Sequence, residues 1–251
     1  MTRFERESEM LPLLVEHVPR VLSHCQAFAI APERPEGRRI VDLVAAGWRA
    51  DSWRDEILAE PPSLKDLTLV DLAILAHIVA HWPATSEEIK TDMFLSNQLR
   101  AQERLDLFEA RDLVCRNERD AYEPLEWTDF LPTSTVAFEL KLDRWNEALE
   151  QAQYTKRFVD LSYVVMSSHA LSRIQANERL FRDTGVGVIV ADPTGSLEVV
   201  VPATSNGAAE YERCLYALRI LRDMAGHHSA WSIYACEGTE NRIADDSADE
   251  Y

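Results

Sequence analysis

The chain is short of positive charge. Its 251 residues hold 26 Lys and Arg against 43 Asp and Glu, a formal net charge of −17. That surplus of acid repels polyanions at long range, which excludes a protein that coats nucleic acid by charge alone. It does not exclude an enzyme that meets nucleic acid through metal ions, because the ions supply positive charge locally. Long apolar runs are also missing, and nothing approaches the length of a membrane span. The opening MTRFERESEM lacks the basic-then-apolar order of a secretory leader, so the expectation is a cytoplasmic protein. Cysteine is sparse. Cys25, Cys115, Cys214 and Cys236 stand far apart, with no C-x-x-C and no histidine at zinc-finger spacing, which argues for incidental thiols over a disulfide framework or zinc module. Glycine is scarce too, and GVGVIVAD (185–192) is no dinucleotide fingerprint: the third glycine is absent and a strand, not a helix, follows.

What is present is ordinary globular composition, 46% hydrophobic and 27% charged, enough for one large domain or two small ones. Residues 4–22 carry a helical stripe of Met10, Leu11, Leu14, Val18 and Leu22, with Pro19 placed to bend or shorten the helix. Strands are expected at 27–32 and 38–48, around a turn at ERPEG. From about residue 51 the pattern turns helical: an amphipathic helix at 67–82, a capped start at TSEEIKTDMF, and a third helix at 97–114. CRNERDAYEPLEW then reads as a two-stranded wing or a single strand. The α/β pattern resumes at Val136, with a strand, a helix, the strand LSYVVMS, a helix over 168–184, strands at 185–192 and 196–202, and a last helix closing at Gly226. A short strand is possible over 231–235. The final EGTENRIADDSADEY is acidic and aperiodic, and is expected to be disordered.

Residues 136–166, VAFELKLDRWNEALEQAQYTKRFVDLSYVVM, raise the functional question. Glu139 and Lys141 lie two apart on an apolar strand, so they point from the same face. Two further acids interrupt apolar elements: Glu7 one turn before Met10 and Leu11, and Asp42 inside RRIVDLVAAGW. Phosphodiester hydrolysis has a use for such a set. Hard divalent cations take a few carboxylate oxygens and keep waters elsewhere, a bound metal acidifies water and offsets phosphate charge, and a lysine stabilises the transition state.

Asp42 on one strand, then Glu139-Leu140-Lys141 on the next core strand and a helix behind it, resembles the PD-(D/E)XK nuclease superfamily, the restriction-endonuclease-like fold. The resemblance spans roughly residues 4–48 and 130–192. It implies an α/β fold with an αβββαβ core and a mixed sheet, interrupted by an inserted, mostly helical, winged-helix-like domain. The implied division is 1–49 and 129–236 for the two parts of the core, 50–128 for the insert and 237–251 for the tail. By that likeness Asp42 and Glu139 are metal ligands for Mg²⁺ (or Mn²⁺) and Lys141 is the catalytic lysine. Glu7 matches an additional acid on the first helix, and Gln151 a helix glutamine reaching back to the site. Tyr154 falls one residue short of the tyrosine some relatives carry, so no role is carried over to it. Read blandly instead, Glu139 and Lys141 are a solvated sheet edge, Asp42 binds a turn, and Glu7 and Gln151 are surface residues.

The insert invites a DNA-reading role, with Arg100, Arg104 and Arg111 of the third helix meeting phosphates. Residues 61–125 nevertheless hold seven Lys/Arg against twelve Asp/Glu, a composition that fits packing or dimerisation as well as duplex binding. His77 and His81 share a helix face at i and i+4, but neither a glutamate nor a third ligand accompanies them. The sequence therefore points to a metal-dependent nuclease, acting on nucleic acid that is most simply DNA, as a homodimer without membrane attachment. The alternative is a catalytically silent module of the same fold, used for DNA binding or protein interaction in regulation or defence.

Overall fold

The computed structural model of the chain describes residues 3–36, 39–49, 64–93, 98–205, 210–226 and 231–235. The acidic segment 237–251, expected to be disordered, lies outside the described residues, as does the side chain of Arg100.

Strand β1 (Ala27–Glu36) and strand β2 (Arg39–Trp48) form a long antiparallel pair, from Ala27 opposite Trp48 to Glu36 opposite Arg39. Residues 33–36 of the turn expected at ERPEG (33–37) are therefore strand, and Gly37 lies outside the described residues. Pairing with β2 carries the chain through it, and Glu33 takes a positive φ of 49° on the way. The decisive join comes next. β2 pairs antiparallel with β6 (Ser134–Lys141), from Gly47 opposite Ser134 to Leu43 opposite Phe138, so the segments flanking the helical insert share one sheet. The crossover helix α5 (Trp145–Thr155) then returns the chain to β7 (Leu161–Ser167), parallel to β6. β8 (Gly187–Ala191) lies parallel to β7, while β9 (Leu197–Val201) and β10 (Ser232–Ala235) close the two edges antiparallel. The order is β10-β1-β2-β6-β7-β8-β9 in one mixed seven-stranded sheet.

Strand alternation divides the core. Val136, Phe138 and Leu140 of β6 point to one face, where they meet Met10, Leu14, Val18 and Leu22 in and around helix α1 (Leu11–Val21). Helix α1 ends two residues past Pro19, and residues 7–10 before it form a 3₁₀ turn. On the other face, Ala148, Leu149 and Ala152 of α5 pack on Val164, Met166 and Val188. Further along that face, Ala29, Val44 and Ala46 meet the insert and helix α8 (Glu210–Gly226).

The insert holds α2 (Leu69–His81), α3 (Ser86–Asp92) and α4 (Gln98–Ala110), with a small sheet in the order β3-β5-β4. Those strands are β3 (Ala84–Thr85), β4 (Val114–Arg116) and β5 (Ala121–Pro124); the short β3 makes three strands where one or two were expected. Thr68 with Asp71, and Thr85 with Glu88, close reciprocal capping boxes that fix where α2 and α3 begin. Helix α2 is not the amphipathic helix expected at 67–82. Leu72, Ile74, Leu75, Ala76 and Ile78 are all buried, since it is wedged between α8 and the rest of the insert. Its side chains, those of α8 and those of the large sheet form one hydrophobic cluster.

The single helix expected over 168–184 is broken in three: a 3₁₀ turn at Ser168–Ala170, α6 (Leu171–Ala176) and α7 (Glu178–Thr184), parted at Asn177. The glycines of GVGVIVAD are steric. Gly185 caps α7 in the left-handed conformation (φ 68°), and a Cβ on Gly187 would strike the Tyr163 ring. Cys25 is buried, Cys214 half-buried and Cys115 exposed, all as free thiols. Among the described residues no helix is long and apolar enough to cross a membrane.

Candidate active site

The β2–β6 ladder places the predicted residues. Its last pair is Leu43 opposite Phe138, and the same register carried one step further sets Asp42 beside Glu139. Main-chain pairing stops there and a side chain continues it: Asp42 Oδ2 accepts the N–H of Leu140 at 2.7 Å. Alternation along β6 turns Glu139 and Lys141 away from α1, onto the face that α5 covers. Neither charge is solvated. Glu139 is 2% exposed and Lys141 7% exposed, which removes the reading of this pair as an open sheet edge.

Lys141 is the hub. Its Nζ donates to the Leu140 carbonyl at 3.0 Å and stands 3.5 Å from Glu7 Oε2 and 3.9 Å from Asp42 Oδ2. Glu7 reaches it from the 3₁₀ turn before α1, over the end of the sheet. Glu139 sits in the same field. Burial first, then repulsion from Asp42, pushes its pKa up to about 8, against the opposing pull of Lys141 and Arg39. Asp42 is raised as well, chiefly by burial; the Leu140 N–H and Lys141 act against the rise and Glu33 adds to it.

Three of the predicted set, Asp42, Glu7 and Lys141, are thus joined by direct contacts, and Glu139 by register and electrostatics. Gln151 lies on α5, with its Oε1 buried and lacking a hydrogen-bond partner. Arg104 is spoken for inside the insert, where its Nε stands 3.3 Å from Asp71 Oδ1. Arg111 follows the end of α4, where its N–H bonds the Leu107 carbonyl. His77 and His81 stack at 4.5 Å, with His77 Nε2 3.6 Å from Asp92 and His81 Nδ1 3.1 Å from the His77 carbonyl. Two contributors escaped the sequence reading. Glu33 bears on Asp42, and Arg39, bonded to Glu150 at 2.7 Å, favours the ionised form of Glu139.

No family model, curated protein or solved structure matches the chain. The chemistry must therefore be read from the donors themselves. Among the described residues no group of three or more His, Cys, Asp or Glu side chains is gathered to hold a metal ion. Mg²⁺ asks for less: one or two carboxylates, with water and substrate phosphate in the remaining positions. Asp42 and Glu139 offer two hard carboxylate donors, and the Asp42 charge raises the Glu139 pKa, a repulsion that a cation would offset. Gln151 Oε1, buried on α5 without a hydrogen-bond partner, is an acceptor left open.

Proposed function

We propose that the protein is a metal-dependent nuclease that hydrolyses phosphodiester bonds of DNA. Its core would be of the restriction-endonuclease-like type and its insert of the winged-helix type, in a homodimer. The observation that carries this reading is the convergence of half-buried Asp42 and the buried Glu139/Lys141 strand, 98 residues apart in the Asp42–Leu140 bond, on one face of the sheet.

Asp42 and Glu139 would hold Mg²⁺ or Mn²⁺, with Glu7 as the outer acid. When bound, that ion supplies positive charge beside the phosphate and acidifies the attacking water. Glu139 must first release its proton, and with a pKa of about 8 it does so only toward mildly alkaline pH. Lys141, anchored on the Leu140 carbonyl, presents a cation to the phosphate oxygens or orients the water. The Glu7 contact fixes the direction of that ammonium. Asp42, tied to the Leu140 N–H through Oδ2, is held against rotation. Gln151 Oε1, buried without a partner on α5, would accept a hydrogen bond from the attacking water.

The test is cleavage of plasmid and single-stranded DNA with Mg²⁺, Mn²⁺ or a chelator, by the wild-type protein and by Glu139→Gln. Cleavage that needs the ion and vanishes in the variant supports the reading. No cleavage by the wild type with either ion, or equal cleavage by Glu139→Gln, overturns it. The second reading, a silent module of the same architecture, draws on Lys141 being engaged by two acids and a carbonyl at once. Calorimetry separates the two, since a silent module binds neither ion at millimolar concentration.

A further inference from the structure

We propose that the cleft between the C-terminal turn of α5 and helix α8 is a nucleobase pocket that takes unpaired bases of single-stranded DNA. Its place beside a phosphodiester site rests on the nuclease reading; its chemistry does not.

The cleft encloses a cavity of about 210 Å³ lined by Tyr154, Arg157, Phe158, Leu215, Tyr216 and Arg219, with Glu212 the one acid among them. The rings form a row. Tyr154 meets Phe158 edge-on at 5.8 Å, and Phe158 meets Tyr216 at 5.0 Å. A guanidinium lies over each end: Arg39 over Tyr154 at 5.3 Å and Arg219 over Tyr216 at 5.9 Å. Arg39 is also the cation that favours ionised Glu139, so the row starts one side chain from the acidic centre.

Helix packing accounts for Tyr216, which is 2% exposed and cements α8 to the segment after α5. Phe158 packs in part on the same cluster, but it and Tyr154 are only half-buried, and both border the cavity. Aromatic rings and guanidinium planes lining a slot select flat π systems, as modules that read single strands do. In a duplex those base faces are hidden in the stack, so the pocket discriminates for the unpaired strand. The net charge of −17 repels a strand at long range, so affinity has to come from stacking on the rings and from Arg157 and Arg219 in the lining.

The experiment is fluorescence anisotropy with the full chain in chelator, using labelled oligodeoxythymidine and its duplex with the complementary strand. The single strand is expected to bind more tightly than the duplex. Tyr154→Leu and Phe158→Leu, which keep apolar bulk and lose the ring, are each expected to weaken binding by roughly tenfold or more. Tyr154→Phe is expected to bind like the wild type. Equal affinity for duplex and single strand, or wild-type affinity in both leucine variants, overturns the proposal. Should a leucine variant fail to fold, a 2-aminopurine base in the strand reads stacking on the wild type: quenching on binding supports the pocket, and no quenching overturns it. The nuclease reading is scored apart, by ion-dependent cleavage. Stacking without cleavage sinks that reading and leaves the pocket; cleavage without stacking does the reverse.

Discussion

Leu140 donates its N–H to the Asp42 carboxylate at 2.7 Å, just past the last main-chain pair between β2 and β6. A candidate ligand therefore also completes the sheet, and the two duties separate by substitution. Asp42→Asn keeps an acceptor for Leu140 and loses the charge; it is expected to unfold near the wild-type urea midpoint and to lose ion-dependent cleavage. Asp42→Ala loses both and leaves the N–H of buried Leu140 unpaired, a cost of about 1–3 kcal/mol. Equal destabilisation of the two variants would show that the bond is not what Asp42 contributes to the fold.

The sequence made Glu7, Asp42, Glu139 and Lys141 visible for one reason: a charge on an otherwise apolar element breaks its pattern. The sharing of one sheet by the segments around the insert was legible for the same reason, since Asp42 and Glu139 make sense only together. Arg39 and Glu33 broke no pattern. They sit on polar stretches near the ends of β1 and β2, and the link from Arg39 to Glu150 spans 111 residues. Helix α2 was expected to be amphipathic, but its apolar residues fall on nearly all sides, and packing against α8 and the rest of the insert buries much of its circumference. The break at Asn177 was hidden as well, because both helices beside it continue a single helical period.

Lys141 is buried among acids, and its removal leaves Glu7, Asp42 and Glu139 without their shared cation. Lys141→Met keeps the stem and removes the ammonium. Cleavage is expected to fall by about 10²–10³-fold, the range for loss of one preorganised charge-stabilising donor. Near-UV circular dichroism should stay that of the wild type. Full activity in a folded Lys141→Met protein would remove the lysine from the mechanism.

Glu139 couples stability to pH, and the sign follows from its raised pKa. Below about pH 4.5 the group is protonated in both folded and unfolded chains and contributes no slope. Between there and about pH 8 the unfolded chain has lost the proton while the folded chain keeps it. Stability therefore falls as pH rises through that window, by at most about 1.4 kcal/mol per unit, and levels off above it. Glu139→Gln is expected to flatten this part of the urea-midpoint profile and to exceed the wild type in stability at the alkaline end. Mg²⁺ requires the ionised form, so its effect on the wild-type melting temperature should grow from about pH 6 to about pH 8.5. A Mg²⁺ effect independent of pH would separate Glu139 from the metal.

Arg104 decides what the third helix of the insert is for. Its Nε stands 3.3 Å from Asp71, whose carboxylate is 1% exposed and also caps α2 through Thr68. The Arg104 side chain is 46% exposed, so solvent moderates the loss of the pair. Arg104→Ala is expected to cost about 1 kcal/mol of stability, by leaving a buried carboxylate without its cation. Strand binding and its salt dependence should not change. If Arg104 instead meets phosphate, the same variant keeps its melting temperature and lowers the salt slope by about one. The geometry favours the first outcome, because reaching a phosphate would strip Asp71 of the partner that lets it stay buried.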